Sequence, residues 1–269
     1  MAATKTSSST LKSKQQAAEE DLASMPLVEH LEELRWRIFK CLGAIVVGAI
    51  IAFVFRNQIM AFLELPLPDQ ANTLMGNAGH KLVVTGLTEG LTVELILSAV
   101  AGFIIALPVI LYQAWAFIAP GLYRHEKRNA IPFIFIGLIL FVVGISLGYV
   151  VLRFPVEWLI NFQAGSFTQL VTADSYFQFV AIFILVFGLI FELPLVLTFL
   201  ARIGIVTGAG LAKRRPAAHI GMWMASTFLT PGADIYSPII LGVAMSCLYE
   251  LTIIFIKIFV KPDPEVDVE

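Results

Sequence analysis

Six stretches of apolar residues, separated by short polar connections, follow one another along the chain. They cover residues 38–55, 91–112, 131–152, 177–201, 217–229 and 235–256. A helix needs about 20 apolar residues to cross a hydrocarbon core of roughly 30 Å. The pattern therefore predicts an all-α integral membrane protein with six transmembrane helices. The final two helices are shorter, and the turn-forming residues 230–234 between them predict a helical hairpin.

The fifth stretch is marginal for a full crossing. At 1.5 Å per residue, the uncharged part of the segment 216–233 falls short of the usual core thickness. Two interpretations remain open: the bilayer thins locally, or the helix tilts little and extends into the interface.

The residues before the first stretch form two different segments. Residues 1–24 are rich in Ser, Thr, Lys, Gln and Ala without an apolar core, which predicts a disordered tail rather than a cleaved signal peptide. Apolar residues then recur at i, i+4, i+7 and i+11, a spacing that predicts an amphipathic helix lying in the membrane interface: Leu27, Leu31, Leu34 and Ile38. We therefore divide the chain into a tail (1–24), a membrane domain (25–260) and a C-terminal tail (261–269).

The composition supports a membrane protein and offers no cofactor site. Hydrophobic residues make up 58% of the chain and charged residues 14%, and the mean hydropathy is +0.84, too apolar for a soluble domain of this length. Both cysteines, Cys41 and Cys247, lie in apolar stretches, where we expect small buried side chains rather than a disulfide or metal site. The sequence contains no phosphate loop, zinc helix motif or dinucleotide fingerprint.

The distribution of basic residues predicts the orientation. Of the 18 Lys and Arg residues, 15 fall in the N-terminal segment, the second and fourth connections and the C-terminal segment. The other three, Arg56, Lys81 and Arg153, fall on the opposite side. Basic residues are retained on the cytoplasmic side of membranes, so both termini are predicted to be cytoplasmic. The outer loops 56–90 and 153–176 are expected to form structured caps.

Glu192 is a carboxylate deep inside the fourth stretch. An ionised side chain at the bilayer centre costs about 2.5 to 3.5 kcal/mol on insertion scales, so such residues usually have a function. Pro194 follows closely and predicts an irregular helix at the same place. A hydrogen-bonded carboxylate needed only for packing remains an alternative. For Glu250, seven residues before Lys257, structural and functional roles are equally open.

The physical pattern around Glu192 also admits another class of protein. A small proton-coupled secondary transporter could use Glu192 as its coupling site beside a kinked helix. The sequence shows no inverted repeat, which weakens this alternative.

Glu33 and Glu126 are acidic residues on the predicted cytoplasmic face, and each lies among basic residues. Glu33 and Arg37 have the spacing of an ordinary i, i+4 helical pair, and Glu126 can be a solvated charge of little energetic importance. Two carboxylates also suit the bidentate capture of guanidinium groups.

A serine protease is the third alternative. Gly144, Ser146 and Gly148 match the nucleophile-elbow spacing, and His219 lies in another stretch. The elbow requires a strand-to-helix turn, whereas Ser146 lies within a predicted helix, where glycines four apart favour close helix packing. We therefore expect a packing motif, with His219 anchoring the start of a helix.

Several motifs resemble those of the TatC family. Residues 30–37, HLEELRWR, are similar to its amino-terminal signature, and residues 108–128, PVILYQAWAFIAPGLYRHEKR, resemble its most characteristic stretch. FELP at 191–194, KRRP at 213–216 and LTP at 229–231 are also similar to family motifs. The resemblance covers about residues 25–260.

The resemblance implies a glove-shaped receptor with six spans in the bacterial inner membrane. Such a receptor binds the paired arginines of signal peptides of folded cargo at its cytoplasmic face, is not an enzyme and needs no cofactor. It works with single-span partners of the TatA and TatB type and with further copies of itself, and the proton-motive force drives export.

The resemblance also implies roles for individual residues. Glu33 and Glu126 correspond to the signal-contacting carboxylates, and Arg35 supports the first of them. Glu192 corresponds to a buried glutamate on the concave face. The loop around the signal site and the outer turn for partner docking correspond to further residues: Phe117, Pro120, Leu122 and Tyr123 in the loop, and Thr230 and Asp234 in the turn.

Overall fold

A computed structural model describes residues 27–68, 82–118, 130–162, 170–232 and 234–259 of the chain. The helices in these ranges are, in chain order, α1 Leu27–Val54, α2 Arg56–Glu64, α3 Glu89–Ile118, α4 Ala130–Val151, α5 Arg153–Asn161, α6 Ala173–Ile190, α7 Leu193–Arg202, α8 Gly208–Lys213, α9 Arg215–Leu229 and α10 Tyr236–Phe259. The prediction of an all-α protein is confirmed. Both predicted tails lie outside the described residues.

Five segments are long and apolar enough to cross a membrane: Glu29–Val54, Glu89–Phe117, Ile131–Asn161, Ala173–Arg202 and Tyr236–Ile258. The predicted fifth stretch forms α9, which has 15 residues and is therefore about 22 Å long at 1.5 Å per residue. Its C-cap residue Thr230 has an extended backbone, so the helix does not continue past Leu229. The hairpin of α9 and α10 is present as predicted.

The predicted interfacial helix is not a separate element. Residues 27–38 continue into the first span as the single helix α1. Neither glycine nor proline occurs between Leu27 and Leu42, so nothing in the local sequence breaks the helix where polar residues give way to apolar ones.

The central helix of the bundle is α6, which packs against both α3 and α4. Val180, Phe183 and Phe187 on α6 are almost completely buried. A Cβ atom placed on Gly148 of α4 would lie 2.8 Å from the Cβ of Phe187, and one on Gly144 would lie 2.7 Å from the Phe187 carbonyl oxygen. The two glycines therefore serve close helix packing, as predicted.

The protease alternative has no support in the side-chain contacts. The Ser146 hydroxyl donates to the carbonyl of Val142 in its own helix. His219 instead contacts Ser246 and Glu250 on α10.

The two predicted outer loops contact each other where the structure describes them. The Val83 N–H donates to the Val171 carbonyl at 3.2 Å, and the Ala173 N–H donates back to the Val83 carbonyl at 2.8 Å. Arg56 pairs with Glu94 at 3.0 Å. These contacts show that the described parts of both loops are structured.

Both cysteines are free, as predicted, but neither is buried: Cys41 is half-buried and Cys247 is exposed. The apolar stretches that contain these cysteines face the bilayer as well as the protein core. An apolar sequence neighbourhood therefore did not imply that the cysteine side chains are buried within the protein.

Helices α1 and α3 touch through their backbones. A Cβ atom on Gly48 would lie 2.6 Å from the carbonyl oxygen of Gly102, and one on Gly102 would lie 2.4 Å from the backbone nitrogen of Ala49. Small residues at such a crossing permit the close approach that stabilises helix pairs in membranes.

We expect Gly48→Ala to destabilise the protein because its new methyl group would push α1 away from α3, at an order of magnitude of about 1 to 3 kcal/mol for overpacking. Gly43→Ala in the same helix is the matched control, since nothing lies within 4 Å of a Cβ at Gly43. Thermal unfolding in detergent, followed by circular dichroism, measures both. Equal midpoints for the two variants would contradict the close contact.

Candidate functional site

A polar cluster joins the first half of α1 to the last turns of α3. Arg37 donates to Oε1 of Glu33 from Nε at 3.0 Å and also from Nη2. Its third nitrogen, Nη1, donates to Oε1 of Gln113 on α3 at 3.1 Å. Glu33 precedes Arg37 by one helical turn, the favourable order for an i, i+4 pair. Arg37 thereby fixes the Glu33 carboxylate and ties the two helices together.

The second oxygen of Glu33 is left without such a donor. Oε2 has no hydrogen-bond partner among the described residues, although the atom is buried. Nδ1 of His30 approaches it to 3.7 Å. A carboxylate can accept several hydrogen bonds through its two oxygens, so Glu33 retains the capacity to bind a further donor.

His30 and Phe117 extend the cluster. Their rings are stacked with centroids 4.3 Å apart and planes inclined by 12°. The stack places Phe117, at the end of α3, beside the residue that approaches Glu33. Two predicted site residues, Glu33 and Phe117, are therefore brought to one end of the bundle.

Arg35 does not pair with Glu33 in the structure. It is exposed, and its guanidinium lies 5.7 Å from the ring centroid of Phe39. The i, i+4 spacing explains the difference, because Arg37 stands one turn after Glu33 whereas Arg35 points to another side of the helix. The expected support of Glu33 by Arg35 is thus supplied by Arg37.

Four of the predicted signal-site residues lie outside the described residues: Pro120, Leu122, Tyr123 and Glu126. Gln113 is a site residue that the sequence analysis missed. The available signal was a lone amide within an otherwise apolar stretch.

Glu192 lies at the break between α6 and α7. Its side chain is buried, and neither carboxylate oxygen has a hydrogen-bond partner in the part of the chain that the structure describes. A Cβ atom on Gly137 of α4 would lie 3.3 Å from Oε2 and 2.8 Å from Cδ1 of Leu111. Pro194 occupies the first turn of α7, so the predicted coincidence of an ionisable group and an irregular helix is confirmed.

Glu250 has a full set of partners. Oε2 pairs with Nη2 of Arg215 at 2.7 Å, and Oε1 contacts Nε2 of His219 at 3.1 Å. Nδ1 of His219 lies 3.2 Å from the Ser246 hydroxyl. This network joins α9 to α10 near the start of α9, which supports the structural interpretation of Glu250.

The residues of the predicted outer turn cap helices. Oδ1 of Asp234 accepts the Ser237 N–H at 2.6 Å, the geometry of an N-cap at the start of α10. The Thr230 hydroxyl donates to the Thr227 carbonyl at 3.3 Å at the end of α9. Both side chains are buried. Within the described ranges, no group of three or more His, Cys, Asp or Glu residues could hold a metal ion.

Comparison with known proteins identifies the family to which the chain is similar. The family model described as Sec-independent protein translocase protein (TatC) matches residues 29–243. A protein of that name from Desulforapulum autotrophicum is 36% identical over 237 residues, 88% of this chain and 86% of the relative. Another, from Deinococcus radiodurans, is 37% identical over 246 residues, 91% of this chain and 90% of the relative.

A solved structure is also similar. The crystal structure of a twin arginine translocase receptor, TatC, superimposes with a TM-score of 0.71 at 32% sequence identity. The match covers 85% of this chain and 98% of that chain.

We expect Arg37→Gln to lower the free energy of unfolding by about 1 to 2 kcal/mol, because it leaves the partly buried Glu33 carboxylate without its charged donor. Arg35→Gln removes the same charge from an exposed position and is expected to change stability by less than about 0.5 kcal/mol. Thermal unfolding in detergent compares the two variants. A larger loss for Arg35→Gln would show that the ion pair is assigned to the wrong arginine.

Proposed function

The chain belongs to the TatC family of Sec-independent protein translocase proteins, and from that premise we propose that it binds the paired arginines of twin-arginine signal peptides at Glu33 and Glu126. As the receptor component of a protein translocase, it is not an enzyme. This role also replaces the transporter alternative for Glu192.

The observation that carries the proposal is the divided environment of the Glu33 carboxylate. Oε1 is held by Arg37, and buried Oε2 has no hydrogen-bond partner among the described residues. Arg37 makes a charge-assisted contact with Oε1. A signal-peptide arginine would make the same kind of contact with Oε2. His30, whose ring stacks on Phe117, approaches that oxygen with Nδ1 at 3.7 Å.

Two arginines call for two carboxylates, and Glu126 supplies the second in this proposal. Arg35 belongs to the proposed site as an exposed neighbour of Glu33 rather than as its ion-pair partner. The remaining proposed residues shape the loop that carries Glu126: Phe117, Pro120, Leu122 and Tyr123.

We propose a topology of six spans in a glove-shaped bundle, with both termini in the cytoplasm of a bacterial cell and residues 25–260 in the membrane domain. The five long apolar segments supply five crossings, and the hairpin partner α9 supplies the sixth. One end of the bundle carries Arg202, Lys213 and the start of α9 at Arg215. The short helices at the other end begin at Arg56 and Arg153. The larger number of basic residues at the first end agrees with their retention on the cytoplasmic side.

Single-span proteins of the TatA and TatB type, together with further copies of this chain, are the proposed partners. Two elements are proposed to dock these partners and to couple export to the proton-motive force. They are the buried Glu192 and the turn with Thr230 and Asp234. The lack of a described hydrogen-bond partner at either Glu192 oxygen supports a role for that carboxylate beyond packing.

We expect Glu126→Gln to abolish co-purification with a twin-arginine signal peptide and Glu33→Gln to weaken binding by about tenfold or more, the effect of losing a charge-assisted hydrogen bond. Glu32→Gln is the matched control, because Glu32 is exposed on the same turn of α1. It should bind within about twofold of the wild type. Undiminished binding by both the Glu33 and Glu126 variants would refute the site.

The topology has its own test, with cysteines introduced into a chain that carries Cys41→Ala and Cys247→Ala. Leu87→Cys lies at a fully exposed position of the proposed outer face, and Lys213→Cys lies at an exposed position of the proposed inner face. In intact spheroplasts, a membrane-impermeant maleimide should label only the Leu87→Cys variant, and permeabilisation should add the Lys213→Cys variant. The reverse order would invert the orientation.

A further inference from the structure

An apolar groove with a volume of about 640 Å³ lies between the last turns of α3, the start of α4, and helices α7 and α10. Aromatic rings form one wall, where Trp115 lies 4.7 Å from Phe133 and 6.2 Å from Phe199 between ring centroids. The other side is lined by α10 between Leu248 and Ile258. The groove is separate from the polar cluster around Glu33. None of the cluster residues lines the groove: His30, Glu33, Arg37, Gln113 and Phe117.

The groove opens sideways onto the surface that faces the bilayer. Ile136, Leu251 and Ile258 form part of its lining and are themselves exposed, with 47%, 62% and 67% of their surface accessible. Trp115 and Leu195 at its base are buried. A molecule in the surrounding hydrocarbon can therefore enter from the side and reach the base of the groove.

The length of the groove matches one leaflet. The ten-residue step from Leu248 to Ile258 on α10 corresponds to about 15 Å at 1.5 Å per residue. Half of a hydrocarbon core of roughly 30 Å is also about 15 Å. The groove ends at Arg202 on one side and near Pro194, next to the helix break, on the other.

Arg202 is the only charged residue among the described residues that line the groove. It is exposed in the last turn of α7, and no carboxylate within the described ranges pairs with it. A guanidinium at the rim of an apolar groove is suited to a phosphate group, which it can bind bidentately. Basic pockets between helices on the cytoplasmic side of membrane proteins bind anionic lipid headgroups in this way.

We propose that this groove binds an acyl chain of an anionic phospholipid whose phosphate pairs with Arg202. The length of one leaflet, the lateral opening and the cation at the interfacial end fit the same lipid.

Quenching of Trp115 fluorescence tests the proposal. The probe is the full chain with Trp36→Phe, Trp158→Phe and Trp223→Phe, held in detergent and titrated with phosphatidylglycerol that carries brominated acyl chains. Because Trp115 lines the groove and is only 5% exposed, a chain within the groove brings its bromine atoms close to the indole ring. We expect saturable quenching, half complete at a lipid mole fraction at least fivefold lower than for phosphatidylcholine with the same chains.

Two further variants localise the lipid. Arg202→Gln should shift the phosphatidylglycerol curve to that of phosphatidylcholine, whereas Arg214→Gln removes an exposed charge outside the groove lining and should leave the curve unchanged. Thr198→Phe fills the groove and should suppress quenching by both lipids. Helical content by circular dichroism confirms that each variant is folded.

Several outcomes would overturn the proposal. Equal curves for the two lipids in the parent chain would remove the role of Arg202, and undiminished quenching in a folded Thr198→Phe variant would place the lipid elsewhere. If neither lipid quenched Trp115 but a signal peptide with bromophenylalanine in its apolar segment did, the groove would be a peptide site instead.

Discussion

Backbone contact between α1 and α3 is the constraint on which the rest of this structure depends. In hydrocarbon, helices gain nothing from being withdrawn from water, so they associate through close packing of small residues. The contact of Gly48 with Gly102 fixes the register of two helices that carry polar groups at both ends. At one end, this register lets Arg37 reach Gln113; at the other, it lets Arg56 of α2 reach Glu94 of α3.

The break between α6 and α7 shows how the bundle accommodates an irregular backbone. Pro194 has no N–H, so the carbonyl of Ile190 loses its regular donor. A free carbonyl is tolerated at membrane depth only where protein covers it, and Ile190 and Glu192 are both buried. The sheltered position that permits the break also keeps Glu192 from water. The lipid groove that we propose begins just beyond this point, at Pro194.

Sequence reasoning succeeded where the determining interactions are local. Apolar length predicted the five long apolar segments, Pro194 predicted the helix break, and the spacing of Glu33 and Arg37 predicted their pairing. It failed where tertiary contacts decide: Gln113 is 76 residues from Arg37, and no pattern in either helix indicates that they meet. The amphipathic spacing correctly predicted a helix from Leu27 to Ile38, but such spacing does not determine where a helix ends, so the continuity of this segment with the first span was not predicted. The Asp234 cap had an available signal, an Asp three residues before Ser237 at a helix start.

Three of the described glutamates, Glu250, Glu192 and Glu33, differ in how their carboxylate oxygens are paired, and the difference bears on which of them can receive the proposed arginine. Glu250 has a partner on each oxygen, Arg215 and His219, so another donor would have to displace one of them. Glu192 has no described hydrogen-bond partner but is enclosed by apolar side chains, where an unaccompanied guanidinium would be poorly solvated. Of these three, Glu33 combines an anchored oxygen with one that has no described hydrogen-bond partner, an arrangement that orients the carboxylate in advance for the proposed arginine.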